Sequence, residues 1–271
     1  MLPSRYRPAV AILLPGSGSD HVFVASAFAQ PLASLGIHLV APPPLPGSTV
    51  VSAMWHALDS AAGVGGAAVL VGGVSLGAHV ATSWAARNPD RCAGLLLALP
   101  GWLGPAHSMR ADAAPAAAAA RASAAAVRRD GVDRTLAEVR ATVRQRWLAD
   151  ELDRAWRGYG AGLADSLDAA AASAAPTAQE LSRLWLPAGI AAFSDDPLHP
   201  HDVAEQWRNA MPRAAVVTTS LRAMAHDRAT LGRAALLAWL RAAHRRPAVP
   251  HTPAEPARKG TTAPWFPAAR R

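Results

Sequence analysis

Residues 67–80, AAVLVGGVSLGAHV, decide the architecture of this chain. The first part, 67–71, is a short apolar run, the pattern of a buried strand. Two glycines follow, and from Leu76 onward the apolar residues have helical spacing. A strand that turns sharply into a helix is the repeating unit of a parallel sheet covered by helices.

The same alternation extends on both sides of this stretch. Short apolar runs that end at Gly or Pro alternate with segments of helical periodicity. We therefore predict an α/β fold with a mostly parallel central sheet flanked by helices. The predicted elements are strand 9–14, helix 22–35, strand 37–41, helix 50–62, strand 67–71, helix 76–86, strand 94–99, strand 187–193, helix 203–211, strand 214–219 and helix 230–243.

Residues 104–186 have a different composition. They lack a strand-like run, are rich in alanine and arginine, and carry apolar residues at helical spacing from Leu136 to Trp156. Alanine is the strongest helix former, so the alanine-rich stretch is also predicted to be helical. We therefore predict an all-helical cap inserted into a core formed by residues 1–103 and 187–246.

Composition and charge limit the possible functions. The chain has 271 residues, 51% of them hydrophobic and 17% charged, so it can bury a substantial core. Its formal net charge is +8. Residues 245–271 hold six basic residues and one acidic residue, which leaves +3 for the rest of the chain. We predict a disordered basic, Pro/Ala-rich tail at 247–271 and no specific binding of nucleic acid.

Several other classes are disfavoured. No window of about 18 apolar residues is free of charge, and the first apolar run is too short for a secretory signal, so we expect no membrane span and a cytoplasmic location. Cys92, the only cysteine, excludes an internal disulfide. A phosphate-binding loop would need Gly-Lys-Ser/Thr, but Lys259 is the only lysine, and His21 stands where a dinucleotide fingerprint needs its third glycine. We expect no cofactor and no metal, and the oligomeric state stays open.

The motif Gly73-Val74-Ser75-Leu76-Gly77 offers a nucleophile. It lies between a predicted strand and a predicted helix, the setting in which G-x-S-x-G holds a serine in a strained turn. Glycines flank the serine because a side chain at either position would collide with the neighbouring strand or helix. A serine nucleophile also needs a general base, and the base needs an orienting acid.

This motif in this setting resembles the α/β-hydrolase superfamily, and the whole chain looks like actinobacterial-type serine hydrolases of that superfamily. The resemblance covers residues 8–243, although 104–186 match only as a helical insertion. Triad partners in that superfamily follow in the order serine, acid, histidine. The resemblance therefore implies an acid after strand 187–193 and a histidine after strand 214–219.

The acid is expected in the segment SDDPLHP, residues 194–200. Asp196, just before a proline, matches the usual position in the superfamily, and Asp195 is the alternative. His226, between the last strand and the last helix, is the expected base. The other histidines are interpreted as structural, with His199 and His201 shaping the rim of the pocket.

The resemblance also implies an oxyanion hole built from two backbone N–H groups. Leu76, directly after the nucleophile, would supply one, and Ser17, in the loop after the first strand, would supply the other. Members of the superfamily usually carry a His-Gly pair in that loop. This chain has Pro15-Gly16 there, so the glycine is kept and the histidine is missing.

Helices of the cap would roof a mostly apolar pocket, with Gly16, Trp102, Trp147 and Trp156 as substrate-binding residues. We predict a serine hydrolase of carboxylesterase or thioesterase type, which cleaves an ester or thioester of a small to medium apolar acyl substrate through an acyl-enzyme. The fold alone leaves two alternatives open: a non-catalytic protein that binds a small molecule, and acyl transfer or other chemistry known on this fold.

Overall fold

The computed structural model describes residues 8–63, 67–105 and 114–244. These residues form a six-stranded sheet in the order β2-β1-β3-β4-β5-β6, with every neighbouring pair parallel. The strands are β1 Val10–Leu14, β2 His38–Val40, β3 Val69–Val74, β4 Cys92–Ala98, β5 Ala188–Phe193 and β6 Ala214–Thr219. The predicted α/β class with a parallel central sheet is therefore confirmed.

Helices cover both faces of the sheet and also make up most of the described chain between β4 and β5. They are α1 His21–Ala33, α2 Val50–Gly63, α3 Leu76–Arg87, α4 Pro115–Asp130, α5 Val132–Thr142, α6 Arg146–Tyr159, α7 Leu163–Ala172, α8 Ala178–Ser182, α9 His201–Ala210, α10 Leu221–His226 and α11 Ala229–His244. The predicted strands agree with these bounds to within three residues at each end.

The core forms two apolar layers, one on each face of the sheet. Strands β3, β4 and β5 are buried along their whole length, as expected for strands covered on both faces. Successive side chains alternate between the faces. In β1, Ile12 and Leu14 pack in the layer that contains α2 and α3, whereas Ala11 and Leu13 pack in the layer that contains α1 and α11.

Helices α4–α8, called the cap below, follow one another between β4 and β5. Helix α4 packs on α7, and exposed Arg128 of α4 pairs with Asp165 at 2.7 Å and with Asp168. The cap is also tied to the core, because the backbone N–H of Gly47 donates to Ser166 Oγ at 2.7 Å. These contacts place the cap over one end of the sheet.

One element differs from the prediction. Residues 221–226, expected to lie in the loop that presents a histidine, form the short helix α10. Ser220 caps this helix by accepting from Ala223 N at 3.0 Å, and the Asp195 carboxylate accepts from Leu221 N at 2.7 Å. Six residues are too few for a periodic signal, so the helix depends on these caps.

Within the described ranges, none of the helices combines the length and apolar character needed to cross a bilayer. The predicted tail, 247–271, lies outside the described residues.

Candidate active site

The serine motif forms a tight turn from β3 into α3. Ser75 is buried, with φ 51° and ψ −112°, and its N–H donates to Ala98 O at 2.9 Å. A left-handed conformation is costly for a residue with a side chain, and such strain persists only where the surroundings enforce it. A Cβ added at Gly73 or at Gly77 would lie 2.4 Å from Leu14 O, so both glycines are required by close packing against β1.

Ser75, His199 and Asp196 form a continuous chain of hydrogen bonds. His199 Nε2 lies 2.9 Å from Ser75 Oγ, and His199 Nδ1 lies 2.8 Å from Asp196 Oδ2. An ionised carboxylate can only accept, so the network assigns the imidazole proton to Nδ1. Nε2 is then free to accept the proton of the serine hydroxyl. This is the geometry of a nucleophile, its general base and an orienting acid.

The surroundings keep Asp196 ionised. Burial acts to raise the pKa of this carboxyl, but the hydrogen bond and charge of His199 and the N–H groups of Leu198 and His199 outweigh it. The pKa of Asp196 therefore lies below its usual value, and at neutral pH the carboxylate is charged and able to stabilise a protonated imidazole.

The structure does not bring the predicted base, His226, to the serine. His226 is exposed at the end of α10, whereas the imidazole against Ser75 belongs to His199, which was expected to be a rim residue. The loop after β5 turns back on itself, with Asp196 Oδ1 accepting from Leu198 N at 2.8 Å. Because of this turn, His199 reaches Ser75, the contact that was expected of His226.

The two candidate acids have different hydrogen-bond partners. Asp196 bonds His199, whereas Asp195 points to the N-terminus of α10, where it accepts from Leu221 N. His201, also expected at the rim, has its Nε2 2.8 Å from Thr218 Oγ1 on β6. Asp195 and His201 therefore have structural contacts.

The two candidate oxyanion donors lie next to the nucleophile. Leu76 is the first residue of α3, and an N–H in the first turn of a helix has no partner inside that helix. A Cβ on Gly16 would lie 3.5 Å from Ser75 Cβ, so the loop that carries Ser17 passes directly beside the serine. The donor roles of Leu76 and Ser17 stay predictions.

A cavity of about 320 Å³ opens beside Ser75, between the cap and the ends of the strands. Its wall is mostly apolar and includes Gly16, Trp147 and Trp156, three of the four residues predicted to bind substrate. A larger groove of about 970 Å³ between α2, α3 and α8 has no triad member among its described lining residues, so we place the site at the smaller cavity. The other apolar lining residues are Phe23, Val74, Leu99, Ala116, Ala119, Ala120, Val139, Val143, Leu148, Leu152, Leu167, Phe193, Leu198 and Leu221.

Trp102 was predicted to bind substrate, but it lies in the core. Its ring is 3% exposed and packs edge-on against His79, with 4.5 Å between ring centroids. Its carbonyl accepts from Trp207 Nε1 of α9 at 3.0 Å. These contacts place Trp102 in the layer of α3 and α9, and it is not among the described residues that line the cavity.

Other reactive groups do not suggest a second chemistry. Among the described residues, no three His, Cys, Asp or Glu side chains are grouped as a metal site requires. Cys92 is buried, and burial raises the pKa of its thiol to about 12. A thiol in that state is a poor nucleophile at neutral pH.

Comparison with solved structures identifies the fold. An esterase from Thermogutta terrifontis is 20% identical, with a TM-score of 0.63 over 87% of this chain and 90% of the esterase. A hydrolase from Pseudomonas aeruginosa is 21% identical, with a TM-score of 0.59 over 89% and 92% of the two chains. A hydrolase from Oleispira antarctica is 13% identical, with a TM-score of 0.63 over 84% and 89%. No protein-family model and no curated protein matches the sequence. The chain has the α/β-hydrolase fold, as the serine motif indicated.

Proposed function

We propose that this protein is a serine hydrolase in which Ser75 is the nucleophile, His199 the general base and Asp196 the orienting acid. The observation that supports it is the pair of hydrogen bonds, 2.9 and 2.8 Å long, that joins these side chains beside an apolar cavity. Structurally similar proteins that include an esterase support the same class of reaction.

In the first half of the reaction, Ser75 Oγ attacks the acyl carbon while its proton passes to His199 Nε2. The new O–C bond forms as the carbonyl electron pair moves to oxygen, and the N–H groups of Leu76 and Ser17 stabilise the resulting oxyanion. Collapse of this tetrahedral intermediate restores the carbonyl and breaks the bond to the leaving alkoxide or thiolate. The leaving group takes the proton from Nε2, and Asp196 stabilises the imidazolium in between.

In the second half, a water molecule attacks the acyl-enzyme. The water gives a proton to His199 Nε2, and its oxygen bonds the acyl carbon. The bond to Ser75 Oγ then breaks, and the proton on Nε2 returns to that oxygen. One water is consumed, and one acid and one alcohol or thiol are released, so the proposed reaction requires no cofactor.

The cavity supports a small to medium acyl group. Its volume is about 320 Å³, and aromatic and aliphatic side chains form most of its wall. Burial of apolar substrate surface therefore provides the binding free energy, while the triad side chains form part of the cavity wall. We propose an apolar ester or thioester as the substrate class.

The decisive experiment compares two histidine variants. We expect His199→Gln to lower kcat/KM for p-nitrophenyl butyrate by about 10⁴-fold, because it removes the base that activates the serine. His226→Gln serves as the matched control and is expected to stay within about twofold of wild type, since His226 is exposed on α10.

A fluorophosphonate probe tests the nucleophile in the same preparations. Wild type should be labelled, and Ser75→Ala should abolish the labelling. A protein that only binds small molecules would stay unlabelled and would not turn over the ester. Inactivation by His226→Gln with an active His199→Gln variant would contradict the assignment of the base.

A further inference from the structure

The loop after β1 has few features that fix its own conformation. Residues 16–20 read G-S-G-S-D, and a backbone bond from Ser19 N to Gly16 O, 3.1 Å long, closes the turn. Gly18 has φ +65°. Small residues give little packing, and glycine loses more backbone entropy than other residues when it is ordered. Because Ser17 is a proposed oxyanion donor, its amide depends on contacts from outside the loop.

The strongest of these contacts comes from cap helix α6. Arg154 binds the Asp20 carboxylate with two hydrogen bonds, Nε to Oδ2 at 3.0 Å and Nη2 to Oδ1 at 2.8 Å. Arg154 also pairs with Glu151 one turn earlier on the helix. Asp20 is mostly buried and caps α1 by accepting from Phe23 N at 2.9 Å. A two-point pair of this kind defines orientation as well as distance.

Two more residues of the same helix contact the loop. Tyr159 Oη donates to Ser19 O at 2.9 Å. The buried indole of Trp156 packs against Gly18, so closely that a Cβ there would lie 2.8 Å from Nε1. Three successive loop residues, 18–20, are thus held by one helix of the cap.

We propose that Arg154 and Tyr159 are positioning residues that hold the Ser17 N–H in place to bind the oxyanion. Both act through the loop, by way of Asp20 and Ser19, and neither is assigned a contact with the reacting atoms. The inference rests on the proposed function and adds a further element to it. The cap both encloses the acyl group and holds one half of the oxyanion hole.

The principal variant is Arg154→Met, which removes the charge pair but keeps a long apolar side chain. We expect kcat for p-nitrophenyl butyrate to fall about 10- to 100-fold, because a loosened donor stabilises the transition state less well. KM should stay within about threefold, since the apolar wall that binds the acyl group is kept.

Two milder variants guard against a folding defect. Arg154→Lys keeps the charge but lacks the planar two-point geometry, so it should recover only part of kcat. Tyr159→Phe removes only the hydroxyl that bonds Ser19 O and should lower kcat by about tenfold or less.

Arg157 provides a matched control on the same helix. It is exposed and pairs with Asp133 at 2.6 Å and with Asp153 at 3.2 Å, both of which belong to the cap. Arg157→Met therefore removes an arginine and its ion pairs without touching the loop after β1. We expect its kcat to equal that of wild type.

The readout must separate positioning from stability. Fluorophosphonate labelling counts the competent sites, so kcat can be expressed per active serine in every variant. A trifluoromethyl ketone forms an adduct with the serine that carries an oxyanion, and its affinity reports on the hole itself. We expect Arg154→Met to weaken this inhibitor by the same factor by which it lowers kcat/KM.

The proposal is overturned if Arg154→Met and Arg157→Met have equal kcat per labelled site and bind the ketone equally well. A lower yield of folded protein with unchanged values per site would also overturn it, because the role would then be structural. If the proposed function itself is wrong, the result is distinguishable, because wild type would then be neither labelled nor active.

Discussion

Within the described ranges, two residues with side chains have left-handed backbone conformations, and both line the cavity. Ser75 has φ 51° and Leu99 has φ 53°. Each N–H is held by the adjacent strand, Ser75 N by Ala98 O and Leu99 N by Ala191 O, both at 2.9 Å. The sheet thus enforces two strained conformations at the one place where chemistry is proposed.

Behind the nucleophile, one buried histidine joins three elements. His79 of α3 accepts from Gly101 N at 3.0 Å through Nε2, and its ring packs against Trp102 and against Trp207 of α9. Burial, and secondarily the charge of His199, lower the pKa of His79 to about 3. The folded protein therefore holds this imidazole neutral.

This pKa predicts how stability depends on pH. Between pH 6.5 and about 3, His79 binds a proton in the unfolded chain but not in the folded one. Its contribution to stability is therefore complete above pH 6.5 and is lost as the pH falls towards 3. His79→Gln keeps an acceptor for Gly101 N–H but does not titrate. We expect its free energy of unfolding, measured in urea at several pH values, to fall less steeply with acidification than that of wild type. Parallel curves would contradict this account.

At the scale of the elements, the turn after β5 and helix α10 together determine which histidine lies against Ser75. Asp196 and His199 lie three residues apart in one turn, whereas the expected order places β6 between acid and base. The signal was present in the sequence as D-P-L-H, a proline turn that returns an imidazole to its own aspartate. The prediction of His226 followed the order of triad residues in the superfamily instead. The local pattern D-P-L-H does not show which loop reaches the serine.

Helix α4 lines the cavity with a face of small side chains. Ala116, Ala119, Ala120 and Ser123 line the cavity and are spaced i, i+3, i+4 and i+7, so they share one face of the helix. Small side chains on this face leave room for the acyl group. If the proposed acyl group occupies this cavity, a larger side chain on this face shortens the acyl chain that fits.

Ala119→Phe should shift the preference towards short esters. We expect kcat/KM for p-nitrophenyl octanoate to fall about tenfold or more, because the ring occupies acyl space, while the acetate stays within about threefold. Ala122→Phe, at an exposed position of the same helix, is the control and should leave the profile unchanged. An equal loss for every chain length would point to general misfolding and not to a size limit.

At the scale of the whole molecule, the site lies where the strand order reverses. From β1 the chain first adds β2 on one side and then crosses to β3 on the other. The loops after β1 and β3 separate at this point and leave a crevice at the carboxyl ends of the strands. The proposed oxyanion loop and Ser75 follow those two strands, and the cap covers the crevice.

Every residue assigned to the triad, the oxyanion hole or the cavity wall lies between Gly16 and Leu221, and all of them are described. We therefore expect a chain shortened after Arg246 to keep wild-type kcat/KM per labelled serine. Residues 247–271 carry a net positive charge, so the shortened chain should elute from heparin at lower salt. A loss of turnover on shortening would show that the segment contributes to the site.

The sequence by itself determined the succession of the strands and of most core helices, the turn that carries the buried Ser75, and the loop that holds the two candidate acids. These follow from hydrophobic periods, glycines and a proline that act over a few residues. The tertiary structure alone decided which of ten histidines bonds Ser75, which of two neighbouring aspartates bonds that histidine, and that Trp102 belongs to the core. The physical reason is distance along the chain. Ser75 and His199 are 124 residues apart, and only the packing of loops over the assembled sheet brings them within 2.9 Å.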